Sequence, residues 1–356
     1  MMKMMFPKLT CAAVFCYLVA CLEAVESQTV RNMPRHEVVN KVPSVTEQAA
    51  RHVILMIGDG MGAEHVWAAW LCNRGKLNME QLPIVGFVRT PSASATITDS
   101  AAAGTAIACG CKTRNGQVGI SASGVPQMSL LKYMAARGRQ TGLVVTKAIT
   151  DATPAAFYAH NKNRYDARNI AVDLLAAGCR VVIGGGEGLI SPAQQAQLRA
   201  AGTLLKLRGS EHCAPASRRG DFLSDSVAEA LSVLEKYPHG FFLMVEGSQI
   251  DTAAHANDLE ELVQETLDFD RAVGVVLRWM KAHPDTLLII TADHQTGGLS
   301  IHGGSTEKGE VKASFSTTQH SGVAVPLYAT GAGAAHFGGI QENTDLLPKI
   351  LRAIGE

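Results

Sequence analysis

The run Ile97-Thr98-Asp99-Ser100-Ala101-Ala102-Ala103-Gly104-Thr105-Ala106 sets a serine just ahead of a small-residue helical stretch. A serine hydroxyl is a poor nucleophile near neutral pH and needs a base, a lowered pKa or a metal to act as an alkoxide. A helix N-terminus supplies part of that help, because its free N–H groups favour negative charge. Taken alone, Asp99 or Ser100 reads as an N-cap, so the weight falls on the other polar breaks of the chain. Gly58-Asp59-Gly60-Met61-Gly62, Glu246-Gly247-Ser248-Gln249-Ile250-Asp251 and Ala292-Asp293-His294 each follow or end a short apolar run. Asp59 sits inside a glycine turn where a pyrophosphate would have to approach backbone N–H groups, so the turn suits a cation better than a dinucleotide. Asp251 and His255 are four apart, and a helix starting near Asp251 puts both on one face, able to share one Zn²⁺. His320, in Gln319-His320-Ser321-Gly322, can complete a three-ligand set. Asp151-Ala152-Thr153-Pro154 offers the hard oxygens that Mg²⁺ prefers. Arg164 beyond it offers a planar fork for two phosphate oxygens.

The elements that must position these residues are legible as alternating patterns. Apolar or β-branched runs at 52–57, 141–146, 180–183, 241–245, 286–291 and 325–329 alternate with amphipathic stretches at 128–137, 167–177, 224–236 and 259–281. The alternation predicts an α/β fold, a three-layer sandwich whose central, mostly parallel sheet is covered by helices on both faces. In such sheets ligands bind at the carboxyl ends of the strands, which is where Asp59, Glu246 and Asp293 fall.

The chain has 356 residues, 47% of them hydrophobic, enough for a sizeable core. Lys and Arg number 32 and Asp and Glu 32, a balance that recommends neither nucleic acid nor an acidic membrane as partner. Lys3, Lys8 and the short apolar core at 9–20 read as an export signal, which implies a periplasmic, membrane-anchored or secreted protein. Leu18-Val19-Ala20-Cys21 resembles a lipobox in which Cys21 would carry a lipid anchor; plain cleavage near Ala24 is the alternative. The reading therefore divides the chain into a signal at 1–21, a polar tether at 22–48 and one catalytic domain at 49–356. No later run is long enough to cross a membrane. Of the mature cysteines, Cys72, Cys109, Cys111, Cys179 and Cys213, an odd number, no pair has zinc-ribbon spacing, so they read as small buried residues with room for one disulfide.

Together these segments resemble the alkaline phosphatase family from about His52 to the C-terminus. The resemblance rests on GDGMG with Asp59, TDSAAAGTA with Ser100, DATP with Asp151 and Thr153, Arg164, EGSQIDTAAH with Glu246, Asp251 and His255, TADH with Asp293 and His294, and QHSG with His320. It implies a phosphomonoesterase with two Zn²⁺ and one Mg²⁺ per chain. Asp251, His255 and His320 would hold one zinc; Asp59, Asp293 and His294 the second, beside the Ser100 oxygen. Asp59 would also reach the Mg²⁺, completed by Thr153 and Glu246, with Asp151 holding that ion's waters. Arg164 would clamp the phosphoryl group, and Ser100 would carry it as phosphoserine between two in-line displacements. A homodimer is implied by the resemblance alone.

Three departures stand out. Thr252 replaces the Lys, His or Trp of other members, Gln295 stands where many bacterial relatives have Glu, and the short span from His294 to His320 predicts a compact version of the fold. The rival readings are a sibling phosphodiesterase or sulfatase-type hydrolase, and a secreted metal- or phosphate-binding protein without turnover. Cys213-Ala214-Pro215-Ala216-Ser217-Arg218 approaches a sulfatase motif but has Ser217 where that motif needs Arg. Thr153 and Glu246 speak against a diesterase, and Ser100 with Arg164 against mere binding.

Overall fold

The computed structural model describes residues 26–356, so the signal-type segment with Cys11, Cys16 and the proposed anchor Cys21 lies outside the described residues. The strands are β1 (Gln28–Val30), β2 (His52–Gly58), β3 (Ile84–Arg89), β4 (Gln140–Ala148), β5 (Val181–Gly185), β6 (Leu204–Arg208) and β7 (Phe241–Gly247). They continue with β8 (Thr286–Ala292), β9 (Gln295–Thr296), β10 (Leu299–Ser305), β11 (Glu310–Phe315), β12 (His320–Ser321), β13 (Val325–Gly331) and β14 (Gly339–Glu342). Nine of them form one sheet in the order β14-β3-β13-β8-β2-β7-β4-β5-β6. Within it only β13 runs antiparallel to its neighbours, so the expected mostly parallel α/β sheet is present. β2, β7 and β8 are buried at every residue, as strands must be when helices cover both faces. Their sequences, His-Val-Ile-Leu-Met-Ile-Gly, Phe-Phe-Leu-Met-Val-Glu-Gly and Thr-Leu-Leu-Ile-Ile-Thr-Ala, show the near-continuous apolar runs such strands require.

One long helix, Leu259–Met280, caps itself with Asp258, whose side chain accepts from Glu261 N at 3.0 Å. It also carries a buried anchor. Arg219 donates to Glu265 at 2.7 Å and through Nε to Asp268 at 3.0 Å, fastening the short helix Ala216–Arg219 to it.

The expected tether at 22–48 is not free over its described part. β1 pairs antiparallel with β11, and Val30, Met33 and Val39 are buried in the main core. Val39 N donates to Asn78 Oδ1 at 2.9 Å, and His36 Nε2 lies 2.7 Å from the buried Asp270 carboxylate. The polar composition and two prolines of this segment hide a strap whose few apolar residues dock singly, without period. The five cysteines among the described residues are all free, and all but Cys111 are buried, so the disulfide allowed for above is not formed. The span from His294 to His320 is taken up by β9 to β11, with no room for a large insertion.

Candidate active site

The sheet register brings the polar strand ends to one level. Gly58 pairs with Gly247 of β7 and Ala292 of β8, and Asp59 N donates to Gly247 O at 3.3 Å. Asp59, Glu246 and Asp293 thus emerge side by side. The turn after β2 must be glycine: Gly60 has φ +69°, and a Cβ there would lie 2.7 Å from Thr296 Oγ1 and 3.1 Å from Asp251 Cα. Gly60 N then donates to Asp293 Oδ1 at 3.0 Å, which locks the second acid in place.

Ser100 opens the helix Ser100–Cys109, with Asp99 as its N-cap, accepting from Ala102 N at 2.9 Å. The Ser100 hydroxyl lies 3.1 Å from His294 Nε2. His294 Nδ1 faces Thr296 Oγ1 at 3.2 Å, and that hydroxyl donates to Asp251 Oδ1 at 2.7 Å. Nδ1 therefore carries the ring proton, and the Nε2 lone pair points at Ser100, Asp293 Oδ2 at 3.2 Å and Asp59 Oδ1 at 3.5 Å. Both of those carboxylate oxygens are buried without a hydrogen-bond partner.

A second convergence lies beside it. Asp251 and His255 share a face of the helix Gln249–His255, and His320 is presented by β12, which pairs with β9. His255 Nδ1 lies 2.6 Å from Thr318 O and His320 Nδ1 2.9 Å from Thr98 O. A carbonyl only accepts, so both Nδ1 atoms are protonated and both Nε2 lone pairs turn inward, 3.1 Å apart. Asp251 Oδ1 meets them at 3.2 and 3.6 Å. Acceptors packed this closely call for positive charge between them, a proton or a metal cation.

The electrostatics agree. Burial, reinforced by neighbouring carboxylates, pushes Asp59 and Glu246 well above the ordinary carboxylate range, and burial moves Asp293 up to about 6. Burial also lowers His294, and lowers His320 to about 4, keeping these two imidazoles neutral as metal ligands must be, whereas the Asp251 carboxylate raises His255. Asp251 resists the trend: against burial, Lys147 and then His255 hold it well below the usual range. Glu246 Oε2 is a further buried oxygen without a partner. Thr153 is buried in the helix Ala152–Ala155, which packs on the Ser100 helix; a Cβ on Gly104 would come within 3.4 Å of Thr153 Cα, so glycine there permits the approach.

Arg164 sits in a loop, with Nη1 donating to Asp99 Oδ2 at 3.1 Å and Nη2 to Asp151 Oδ1 at 3.5 Å. Burial works against its charge, but Asp151 and Asp99 outweigh it and raise its pKa. All eleven residues singled out from the sequence thus lie in or beside this one cluster.

Two participants escaped sequence reading. Asp99, read only as a cap, also aims Arg164. Lys147, near the end of β4, places its ammonium 3.1 Å from both Asp59 Oδ2 and Asp251 Oδ2. Burial opposes this charge, yet Asp59, Asp251 and Asp151 raise its pKa well above the ordinary value. A lone lysine one residue from the end of a buried strand was the signal. Thr252, by contrast, is exposed on its helix. The Cys213 thiol, pushed up to about 11 by burial, is no activated nucleophile.

An α/β sheet that presents a helix-capped serine beside two cation-demanding ligand sets is the frame of a metal-dependent hydrolase. The family model for alkaline phosphatase matches residues 50–202 and 206–313, and the chain belongs to that family. It is 35% identical to alkaline phosphatase 4 of Bacillus subtilis over 295 residues, which is 72% of this chain and 64% of that relative. It is 31% identical to streptomycin-6-phosphate phosphatase of Streptomyces griseus, covering 86% of this chain and 91% of the relative. Among solved structures, alkaline phosphatase from the Antarctic bacterium TAB5 superposes with a TM-score of 0.81 at 32% identity, over 87% of this chain and 99% of that one.

Proposed function

We propose that the protein hydrolyses phosphate monoesters through a phosphoserine formed on Ser100. The observation that carries this reading is the position of Ser100 Oγ, 3.1 Å from His294 Nε2 and beside the unpartnered oxygens of Asp59 and Asp293. Asp251, His255 and His320 would hold one Zn²⁺, and Asp59, Asp293 and His294 a second. Asp59, Thr153 and Glu246 would hold a Mg²⁺, with Asp151 behind them. A solved TAB5 relative, a His-to-Asp variant, is described with Mg bound in its M3 site. When bound, the two zinc ions stabilise the attacking and leaving oxygens of an in-line displacement.

The chain's own residues supply the rest. Ser100 is the first residue of its helix, where the positive end of the dipole favours an alkoxide. His294 accepts nothing on Nδ1 and so keeps its inward lone pair fixed in direction. Arg164, held by Asp99 and Asp151 on two nitrogens, is pre-aimed to clamp two phosphoryl oxygens at little entropic cost. Recognition of the phosphoryl group rather than the alcohol makes a broad range of monoesters acceptable. The test is hydrolysis of an aryl phosphate at alkaline pH by zinc-loaded protein, with and without chelator, in wild type and Ser100→Ala. Activity lost in both the chelated enzyme and the variant supports the reading; activity indifferent to chelation overturns it.

A further inference from the structure

Lys147 is the charged group that the proposed chemistry leaves unused, and its place is specific. Its side chain is only 11% exposed, and its ammonium bridges one carboxylate from each ligand set, Asp59 and Asp251, at 3.1 Å each. The oxygen of Asp59 that it touches is Oδ2, whereas Oδ1 is the one that faces His294. Asp59 would turn one oxygen to a zinc and have only the other left for a third ion. That other oxygen already has a cation on it.

The geometry points to Lys147 as a tethered competitor of the third metal ion, so that the centre holds two ions firmly and a third only when the ammonium withdraws from Asp59. This rests on the metal-centre reading above and deepens it. The charge count supports it. Six carboxylates act on this region, Asp59, Asp99, Asp151, Glu246, Asp251 and Asp293, and the Arg164 guanidinium offsets one of them, leaving five negative charges. Two divalent ions and one ammonium match those five negative charges, while a third divalent ion with the ammonium in place exceeds them by two. A buried surplus of that kind is expensive in low dielectric. Backbone supports hold the lysine there: it lies in β4, where Val145 pairs with Glu246 of β7 and Thr146 N donates to Ser248 Oγ at 3.2 Å.

The experiment uses full-length protein loaded with zinc and magnesium and dialysed against metal-free buffer. Zinc and magnesium contents are measured by mass spectrometry, and binding of added Mg²⁺ by calorimetry, with Mn²⁺ and paramagnetic resonance as a second probe. Wild type is compared with Lys147→Met, which keeps the length without the charge, with Lys147→Ser, which also frees the space, and with Lys147→Arg. The expected result is two zinc ions in every form, with third-ion binding at least tenfold tighter in Lys147→Met and Lys147→Ser and little changed in Lys147→Arg. Third-ion affinities within twofold of wild type in the uncharged variants overturn the inference. So does wild type that keeps a full equivalent of magnesium through the dialysis, a result that needs no variant. Wild type that retains no zinc instead refutes the metal-centre reading itself, and the inference falls with it.

Discussion

Asp99 offers the sharpest separation of helix stability from phosphate recognition, because one carboxylate serves both. Its Oδ1 caps the Ser100 helix, and its Oδ2 accepts from Gly116 N at 2.9 Å and Arg164 Nη1 at 3.1 Å. In Asp99→Asn the amide oxygen can keep the cap, so the loss there stays below about 1 kcal/mol. The amide nitrogen then faces two donors, Gly116 N–H and Arg164, and the anchor is lost. Arg164 retains only Asp151, at 3.5 Å. An arginine side chain carries about 2 kcal/mol of rotamer entropy; releasing one of two anchors frees about half of it, which phosphate must reorder. That is about 1 kcal/mol, or about fivefold weaker binding. The assay is competitive inhibition by inorganic phosphate, together with KM for an aryl phosphate, in wild type, Asp99→Asn, Arg164→Ala and the double variant. The effect of Asp99→Asn must vanish in the Arg164→Ala background. An undiminished effect there, or tighter phosphate inhibition in the single variant, refutes the reasoning, the latter because Asp99 would then compete with phosphate for Arg164 rather than aim it.

Other predictions concern the frame. Arg219→Met leaves the buried Glu265 carboxylate without a counter-charge, while Asp268 keeps Arg271 at 2.7 Å, and should destabilise the protein by about 3–5 kcal/mol, partly recovered by adding Glu265→Gln; thermal melts that show no drop would exclude a structural role for the Arg219–Glu265 pair. His52 is buried against Phe241 and Trp279 at the end of β2 remote from the site, and burial lowers its pKa from 6.5 to about 4. The unfolded chain therefore binds this proton more readily, and stability present above pH 6.5 is lost as pH falls to about 4. The loss amounts to about 3 kcal/mol at about 1.4 kcal/mol per pKa unit. Melting wild type against His52→Phe across that range should show the variant losing less; parallel curves would show that His52 is not the titrating group. Chelation of the zinc-loaded protein should lower its melting temperature at neutral pH, because removing ligands that bind only the folded state removes their stabilisation, and an unshifted melt contradicts a tightly held centre.

The frame of this protein was legible in its sequence because the buried strands repeat one pattern and end in polar residues. β2, β7 and β8 are apolar to their last turn of chain, and Asp59, Glu246 and Asp293 mark where they stop. The four-residue spacing of Asp251 and His255 gave their helix face, and the helix Gln249–His255 begins close to where that spacing placed it. What stayed hidden depends on long-range contacts that leave no periodic trace. The strap containing Val30, Met33 and Val39 docks through isolated residues onto Asn78 and the long helix, so its polar composition reads as a tether. Lys147 acquires its meaning only when β4 comes to lie beside β7 and carries the ammonium to Asp59 and Asp251. The second role of Asp99 likewise depends on Arg164, sixty-five positions away.

The central claim is that Ser100 takes the phosphoryl group. The most direct measurement is a rapid quench of zinc-loaded protein during turnover of a phosphate-labelled monoester, followed by peptide mapping. The account predicts label on the peptide containing Ser100, absent after chelation and absent in Ser100→Ala. Label on another residue, or full turnover by Ser100→Ala, would contradict it.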